Sequence, residues 1–314
     1  MRLLRSSASF PPALRGAVAA IGNFDGVHLG HRALINAVHA EADRIATRSG
    51  EACPRAVITF EPHPRRFFVP NSPPFRLDAL ETKARILGDL GIKATLALPF
   101  DAALAAQSPQ DFVDHILARD LGLSHVVVGY DFTFGKARSG NTDLLRDLGA
   151  KHRIGVTVVS PQGDGEVFSS SRVRRLLEAG EQAEANRILG RPWEVVGIVE
   201  HGDKRGRELG YPTANVALTD FQVPKFGIYA VRCVLDGEVH DGVASLGIRP
   251  TFADQTGVKL EVYLFDFSGD LYERSLRVEF HAFLRPELKY EGPEPLKRQI
   301  AADVEAAKAV MARQ

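Results

Sequence analysis

Ala17-Val18-Ala19-Ala20-Ile21-Gly22-Asn23-Phe24-Asp25-Gly26-Val27-His28-Leu29-Gly30-His31 is the stretch from which the fold is read. Its first five residues are an apolar run of strand length, bounded by a glycine. The Gly22–Gly26 segment turns the chain, because glycine allows close approach and unusual backbone angles. From Leu29 to about Arg48, Leu34, Ile35, Val38 and Ile45 fall on one side of a helix. A strand that passes through glycines into a helix leaves N–H groups at the helix start, where an anion is favoured. His28 and His31 are three apart and share a face of the first turn. Protonated or hydrogen-bonding imidazoles there can hold phosphate oxygens. The alternative is that one histidine packs or caps and the glycines only turn the chain. The position directly after a strand supports the phosphate reading, and the absence of GxGxxG weakens a dehydrogenase reading.

Outward from this stretch the same alternation continues. Ala56–Phe60 reads as a strand, and Asp78 can cap a helix over Ala79–Leu90. Lys93–Leu98 is a strand, and Ser108-Pro109-Gln110-Asp111 is a capping-box start with Pro at the first helical position. His125–Val128, a helix over Asp143–His152 and Val156–Val159 follow. The β-α-β-α order implies a parallel sheet with helices on both faces, and ligands at the carboxyl ends of its strands.

The pattern changes near Gly190. Val195–Val199, Ile228–Leu235, Val243–Leu246, Leu260–Phe265 and Leu276–Phe280 are short β-type runs separated by turns such as Asp236-Gly237. They suggest a small barrel or sandwich. Arg298–Arg313 closes as a helix, with Leu296, Ile300, Val304, Ala307 and Met311 on or leading into one face. Two domains are expected, 1–186 and 187–314, with the boundary in the punctuated stretch 180–192.

Bulk properties narrow the class. The chain has 314 residues, 45% hydrophobic and 25% charged, with 39 basic and 39 acidic side chains. That balance argues against broad nucleic-acid binding. Cys53 and Cys233 are far apart, so neither a disulfide framework nor structural zinc is expected. There is no signal-peptide core and no run approaching ~18 apolar residues. A cytoplasmic enzyme without membrane or nucleic-acid partners, monomeric or weakly homo-oligomeric, is the expectation.

Two further segments carry chemistry. In Phe168-Ser169-Ser170-Ser171-Arg172-Val173-Arg174 the serines offer hydroxyls at a helix start, and Arg174 can fork onto a phosphate. A plain serine cap with solvated arginines is the alternative. Gly202-Asp203-Lys204-Arg205-Gly206-Arg207-Glu208-Leu209-Gly210 precedes Tyr211-Pro212-Thr213-Ala214-Asn215. It is not a P-loop. Thr213 and Asn215 are two apart, so on an extended segment they face one way and offer hard oxygens suited to Mg²⁺. A surface loop with a proline turn is the alternative.

These segments resemble a known family. Residues 22–31, 59–64 (TFEPHP), 127–135 (VVGYDFTFG) and 168–174 are similar to the motifs of the FMN adenylyltransferase module of bacterial bifunctional riboflavin kinase/FAD synthetases, HxGH nucleotidyltransferases. Phe168 and Ser171 replace Ile and Thr of the family motif, and Tyr130 stands where acidic residues are common. Residues 189–216, 226–230, 245–252 and 260–267 resemble the riboflavin kinase module, with Tyr263 at a usual His position. The resemblance implies a Rossmann-like α/β nucleotidyltransferase domain with a parallel sheet. A six-stranded antiparallel β-barrel kinase domain with a C-terminal helix would follow. It implies ATP and Mg²⁺ as cofactors, with riboflavin, FMN and FAD as substrates and products. By it, His28, His31, Ser170 and Arg174 handle ATP phosphates, and Gly22, Phe24, Gly30 and Ser169 belong to the same site. Phe60, Pro62, Asp131 and Phe132 lie near the flavin and adenylyl pockets, although core packing would equally explain Phe132 and Phe134. In the second module Gly202, Lys204 and Gly210 serve ATP, and Thr213 and Asn215 bind Mg²⁺–ATP. Glu261 is the base for the riboflavin hydroxyl, and Arg249 is a flavin or phosphate contact or a structural ion pair.

Overall fold

A computed structural model describes residues 1–201, 210–218, 220–248 and 257–313. Packing divides the chain into two units, Met1–Ser72 with Leu80–Ser169, and Pro73–Ala79 with Ser170–Gln314.

The first unit runs β1 (Arg2–Leu4), β2 (Val18–Ile21), α1 (Leu29–Ser49), β3 (Arg55–Glu61), α2 (Pro64–Phe68), α3 (Leu80–Asp89), β4 (Ala94–Pro99) and α4 (Ala102–Ala106). It continues with α5 (Pro109–Asp111, extended by wider turns over Phe112–Asp120), β5 (His125–Gly129), α6 (Thr142–Lys151) and β6 (Gly155–Val159). The sheet order is β1-β4-β3-β2-β5-β6, and every pairing is parallel. Alternation along β2 decides the two faces. Ala19 and Ile21 pack with Phe112, Val113, Leu117, Leu145 and Leu148 of α5 and α6. Val18 and Ala20 pack with Ile35, Val38, Ile86 and Leu87 of α1 and α3. Each such aliphatic side chain, fully buried, contributes about 1.5–3 kcal/mol. The Ser108 N-cap of the expected capping box forms, with Asp111 N–H donating to Ser108 Oγ at 3.1 Å; the Asp111 carboxylate accepts from the Ser108 hydroxyl at 2.7 Å, where a full box would use the Ser108 backbone N–H. Chain order reverses about β2, which has β3 on one side and β5 on the other. Its carboxyl end is therefore the switch point where such sheets bind ligands.

The second unit contains α7 (Ser170–Ala179), α8 (Gln182–Leu189), β7 (Trp193–Glu200), β8 (Ala214–Ala217), β9 (Gly227–Leu235), β10 (Glu238–Ile248), β11 (Val258–Leu264), β12 (Ser275–Arg285) and α9 (Pro293–Met311). The six strands close into a barrel in the order β10-β11-β8-β7-β12-β9, which decides between barrel and sandwich. Asp236 and Gly237 both take positive φ, 48° and 91°, as a two-residue hairpin between β9 and β10 requires. Residues 170–189 pack with this unit rather than with the first: Val173, Leu177, Ile188 and Leu189 are fully buried, and Asn186 Nδ2 donates to the Phe280 carbonyl at 2.8 Å. Asp78, expected as a helix cap, also packs here and receives Arg191 Nη2 at 2.5 Å. α9 begins five residues before the expected Arg298, because Pro293 suits a first helical turn. Its Val304, Ala307 and Met311 cover Ile228, Ala230 and Val243 on the outside of the barrel. Alternation then places Ser245, beyond Val243, and Glu261, before Tyr263, on that outer face.

Candidate functional site

In the first unit the loop after β2 carries the leading motif. Phe24 and Val27 hold positive φ values of 48° and 41°. For non-glycine residues such angles cost roughly 1–3 kcal/mol each and persist only where the surroundings enforce them. The surroundings here are specific. Phe24 is fully buried. Lys83 Nζ, on α3, donates to the Asn23 carbonyl at 2.8 Å, and Thr59 Oγ1 donates to the same carbonyl at 2.9 Å. Lys83 is only 4% exposed, and it was not foreseen as part of this site. The signal was present: Leu80, Lys83 and Leu87 occupy one helical stripe, so a lysine interrupts an apolar face.

His28 is the N-cap of α1, and His31 sits in its first turn. Their rings stack at 3.7 Å between centroids, and Phe24 lies 4.8 Å from His31. A Cβ on Gly30 would stand 3.0 Å from the Phe168 carbonyl oxygen and 3.1 Å from the His28 ring. Glycine at position 30 therefore lets the start of the Phe168–Ser169 segment lie against the helix that carries the histidines. Gly22 is less constrained, its virtual Cβ meeting the Phe24 ring at 3.3 Å.

Burial, first, and then the charges of His28 and Lys83 hold the His31 imidazole well below the ordinary histidine range. His31 is neutral near pH 7, with its buried Nδ1 lacking a hydrogen-bond partner among the described residues. A protonated His31 is disfavoured, and the hydrogen-bonding alternative stands. An unfolded chain takes up a proton at this residue near pH 6.5, whereas the folded chain resists it until a lower pH. The stability that His31 contributes is thus fully present above pH 6.5 and is lost as pH falls through the window below it. His125, also lowered by burial first, adds to the same slope. Thermal melting from pH 7.5 to 5.5 should show a falling midpoint. His31→Gln should flatten part of that fall, and an unaltered slope would contradict a neutral His31.

The flavin candidates lie at the end of β3 or just after β3 and β5. Phe60 joins an aromatic group beyond β3 and β4: Phe100 lies 5.8 Å from Phe60, 5.5 Å from Phe67 and 5.7 Å from Phe68. Phe68 is 66% exposed, a large ring left open to solvent. Phe67, Phe68 and Phe100 were not anticipated, because their sequence segments carry no repeat or spacing that joins them. Pro62 is exposed, one residue beyond β3. Asp131 is exposed after β5. Phe132 stacks on Phe134 at 5.5 Å, and Phe134 belongs to the core.

Ser170 and Arg174 lie on α7 of the second unit. Arg174 Nε donates to the Phe75 carbonyl at 2.7 Å, and its guanidinium lies over the Phe75 ring.

The second constellation is built by strand register. Asn215 on β8 pairs with Glu261 on β11, and Glu261 pairs with Ser245 on β10. Residues directly opposite one another share a face, so the three side chains form one row. Asn215 and Glu261 are half-buried. The Asn215 Oδ1 atom is buried without a hydrogen-bond partner among the described residues. Thr213 stands one residue before β8, and Gly210 holds φ 84°. Gly202, Lys204 and Arg249 lie outside the described residues.

The fold and these sites define a class: an HxGH-type α/β nucleotidyl-transfer unit joined to a β-barrel unit. Comparison gives the family. A family model described as FAD synthetase matches residues 10–172, and one described as riboflavin kinase matches residues 189–311. A bifunctional riboflavin kinase/FMN adenylyltransferase of Pseudomonas fluorescens is 44% identical, over 99% of this chain and 98% of that protein. The protein of that name from Escherichia coli K12 is 38% identical over 96% of each. A crystal structure named as a macrolide-efflux protein from Streptococcus pneumoniae has TM-score 0.86 and 27% identity over 98% of both chains. Among the described residues, no helix is long and apolar enough to cross a membrane. The chain belongs to the family of bifunctional riboflavin kinase/FMN adenylyltransferases. Its C-terminal part phosphorylates riboflavin to FMN with ATP, and its N-terminal part adenylylates FMN to FAD with release of pyrophosphate.

Proposed function

We propose that the two reactions are carried by the residues that the motifs single out, with the functional boundary after Asn186. That boundary falls between the stretches matched by the two family models. In the adenylyl step an FMN phosphate oxygen attacks the α-phosphorus of ATP, and the bond to pyrophosphate breaks. FMN brings its own nucleophile, so no covalent enzyme intermediate is needed. Catalysis rests on alignment and on stabilising charge as pyrophosphate leaves. His28, neutral His31, and the backbone around Gly22, Phe24 and Gly30 hold ATP. Ser169, Ser170 and Arg174 are further phosphate contacts. The flavin ring occupies the open aromatic group around Phe60, with Pro62, Asp131 and Phe132 as additional contacts.

In the kinase step the riboflavin 5′-hydroxyl oxygen bonds to the γ-phosphorus of ATP, ADP leaves, and Glu261 takes the hydroxyl proton. The observation that carries this reading is the Asn215–Glu261–Ser245 row, with its buried Asn215 Oδ1 lacking a hydrogen-bond partner among the described residues. A hard oxygen without a hydrogen-bond donor suits a hard cation. Asn215 and Thr213 would hold Mg²⁺, which when bound screens the phosphate charge. Gly210, Gly202, Lys204 and Arg249 complete the proposed ATP and flavin contacts. The balanced charge supports a protein without broad nucleic-acid binding, and the free cysteines Cys53 and Cys233 suit the reducing cytoplasm; a monomer or weak homo-oligomer without membrane partners completes the proposal.

The test is incubation with riboflavin and ATP across a Mg²⁺ titration, with separation of the flavins. FMN should appear first and FAD second. Asn215→Ala should raise the Mg²⁺ needed for FMN formation at least about tenfold, the scale of losing a group that supports a metal. An unchanged Mg²⁺ dependence would remove Asn215 from the metal site.

A further inference from the structure

Glu287 follows β12 in a segment that is neither strand nor helix. Its carboxylate covers Gly247 of β10: a Cβ built there would stand 2.2 Å from Oε1. Only glycine leaves room for it. Two residues away on the same face of β10, Ser245 hydrogen-bonds Glu287, its hydroxyl donating to the carboxylate. Ser245 is also the register partner of Glu261. Two carboxylates thus flank one hydroxyl on the outer face of the barrel. Burial, first, and the nearby charge of Glu261 push the Glu287 carboxyl above the ordinary range, against the Ser245 hydrogen bond and Arg285.

Holding like charges together is costly, so the arrangement calls for a use beyond packing. Carboxylates are acceptors only, and a pair of them matches a ligand rich in hydroxyl donors. Leu288, next in the chain to Glu287, is 58% exposed. An open apolar side chain beside paired acceptors fits a molecule with a flat apolar ring and a polyol chain.

We propose that Glu287, seated over Gly247, is a specificity-determining residue of the kinase reaction. It accepts hydrogen bonds from the internal hydroxyls of the substrate's polyol chain and so sets the terminal hydroxyl against Glu261. This rests on the reading of Glu261 as the base.

The experiment uses the full chain and two substrates: riboflavin, and an analogue of the same ring with an unbranched ω-hydroxypentyl chain. The analogue keeps the terminal hydroxyl and lacks the internal ones. Glu287→Ala should raise the riboflavin KM by about 10- to 100-fold, the range for hydrogen bonds to a charged group. It should leave the analogue almost unaffected, so the preference for riboflavin collapses. Gly247→Ala, which displaces the carboxylate without deleting it, should shift the preference the same way. Equal losses on both substrates, or no loss on either, would overturn the assignment. Glu261→Gln should instead abolish phosphorylation of both substrates. If it does and Glu287→Ala alters no preference, the inference about Glu287 fails alone. If Glu261→Gln phosphorylates normally, the assignment of the base fails, and the placement of the terminal hydroxyl fails with it.

Discussion

Glu261→Gln is expected to lower FMN formation by about 10²- to 10⁴-fold, the range attributable to a positioned general base. FAD formation from supplied FMN should stay nearly intact. The substitution keeps the size and shape of the side chain but removes its negative charge, and with it the capacity to take a proton. Its position is fixed by backbone pairing on both sides, to Asn215 and to Ser245, so glutamine should occupy the same place in the row. A fall of this size with KM values for riboflavin and ATP little changed would mark an interaction made only in the transition state. Loss of both activities would point to a structural role, and loss of neither would sink the assignment.

The reach of sequence reading differs between the two units for physical reasons. The α/β unit announces itself because its strands are buried on both faces and read as apolar runs, while its helices keep one polar side. Ala17–Ile21 and the helix from Leu29 were legible for that reason. β1 was not, since Arg2–Leu4 is an edge strand of three residues with no buried member. β8 escaped the search for apolar runs because Ala214–Ala217 alternates around Asn215, although that polar residue is the reason the strand matters. Site residues carried by a local motif, such as His28 with His31, could be named in advance. Those assembled by register could not: Ser245 reaches Glu261 only across a strand pairing, and Glu287 reaches Gly247 over a forty-residue separation in the chain. Lys83 stands between the two cases, visible as a charge on an apolar stripe but assignable only once its partner, the Asn23 carbonyl, is in place. Residues 170–189 show a further limit. Their amphipathic pattern predicts a helix but does not say which core its apolar side will join.

His28→Ala and His31→Ala are each expected to lower FAD formation by about 10²- to 10³-fold, the scale for removing one donor that stabilises developing charge. Riboflavin phosphorylation should persist in both, so FMN accumulates from riboflavin and ATP. His31 also tests how the charge is met. The two imidazoles stack at 3.7 Å with Lys83 exerting its charge on His31, and two protonated rings at that distance would repel. The role proposed for neutral His31 is an oriented N–H rather than net charge, and the cation acting on it is Lys83, buried and fixed against the loop carbonyl. His31→Asn, a neutral donor of shorter reach, should therefore recover part of the activity lost in His31→Ala. His31→Lys, which adds a second cation beside Lys83, should not. If lysine restored more activity than asparagine, net positive charge would be what the site requires, and the neutral-donor account of His31 would be wrong.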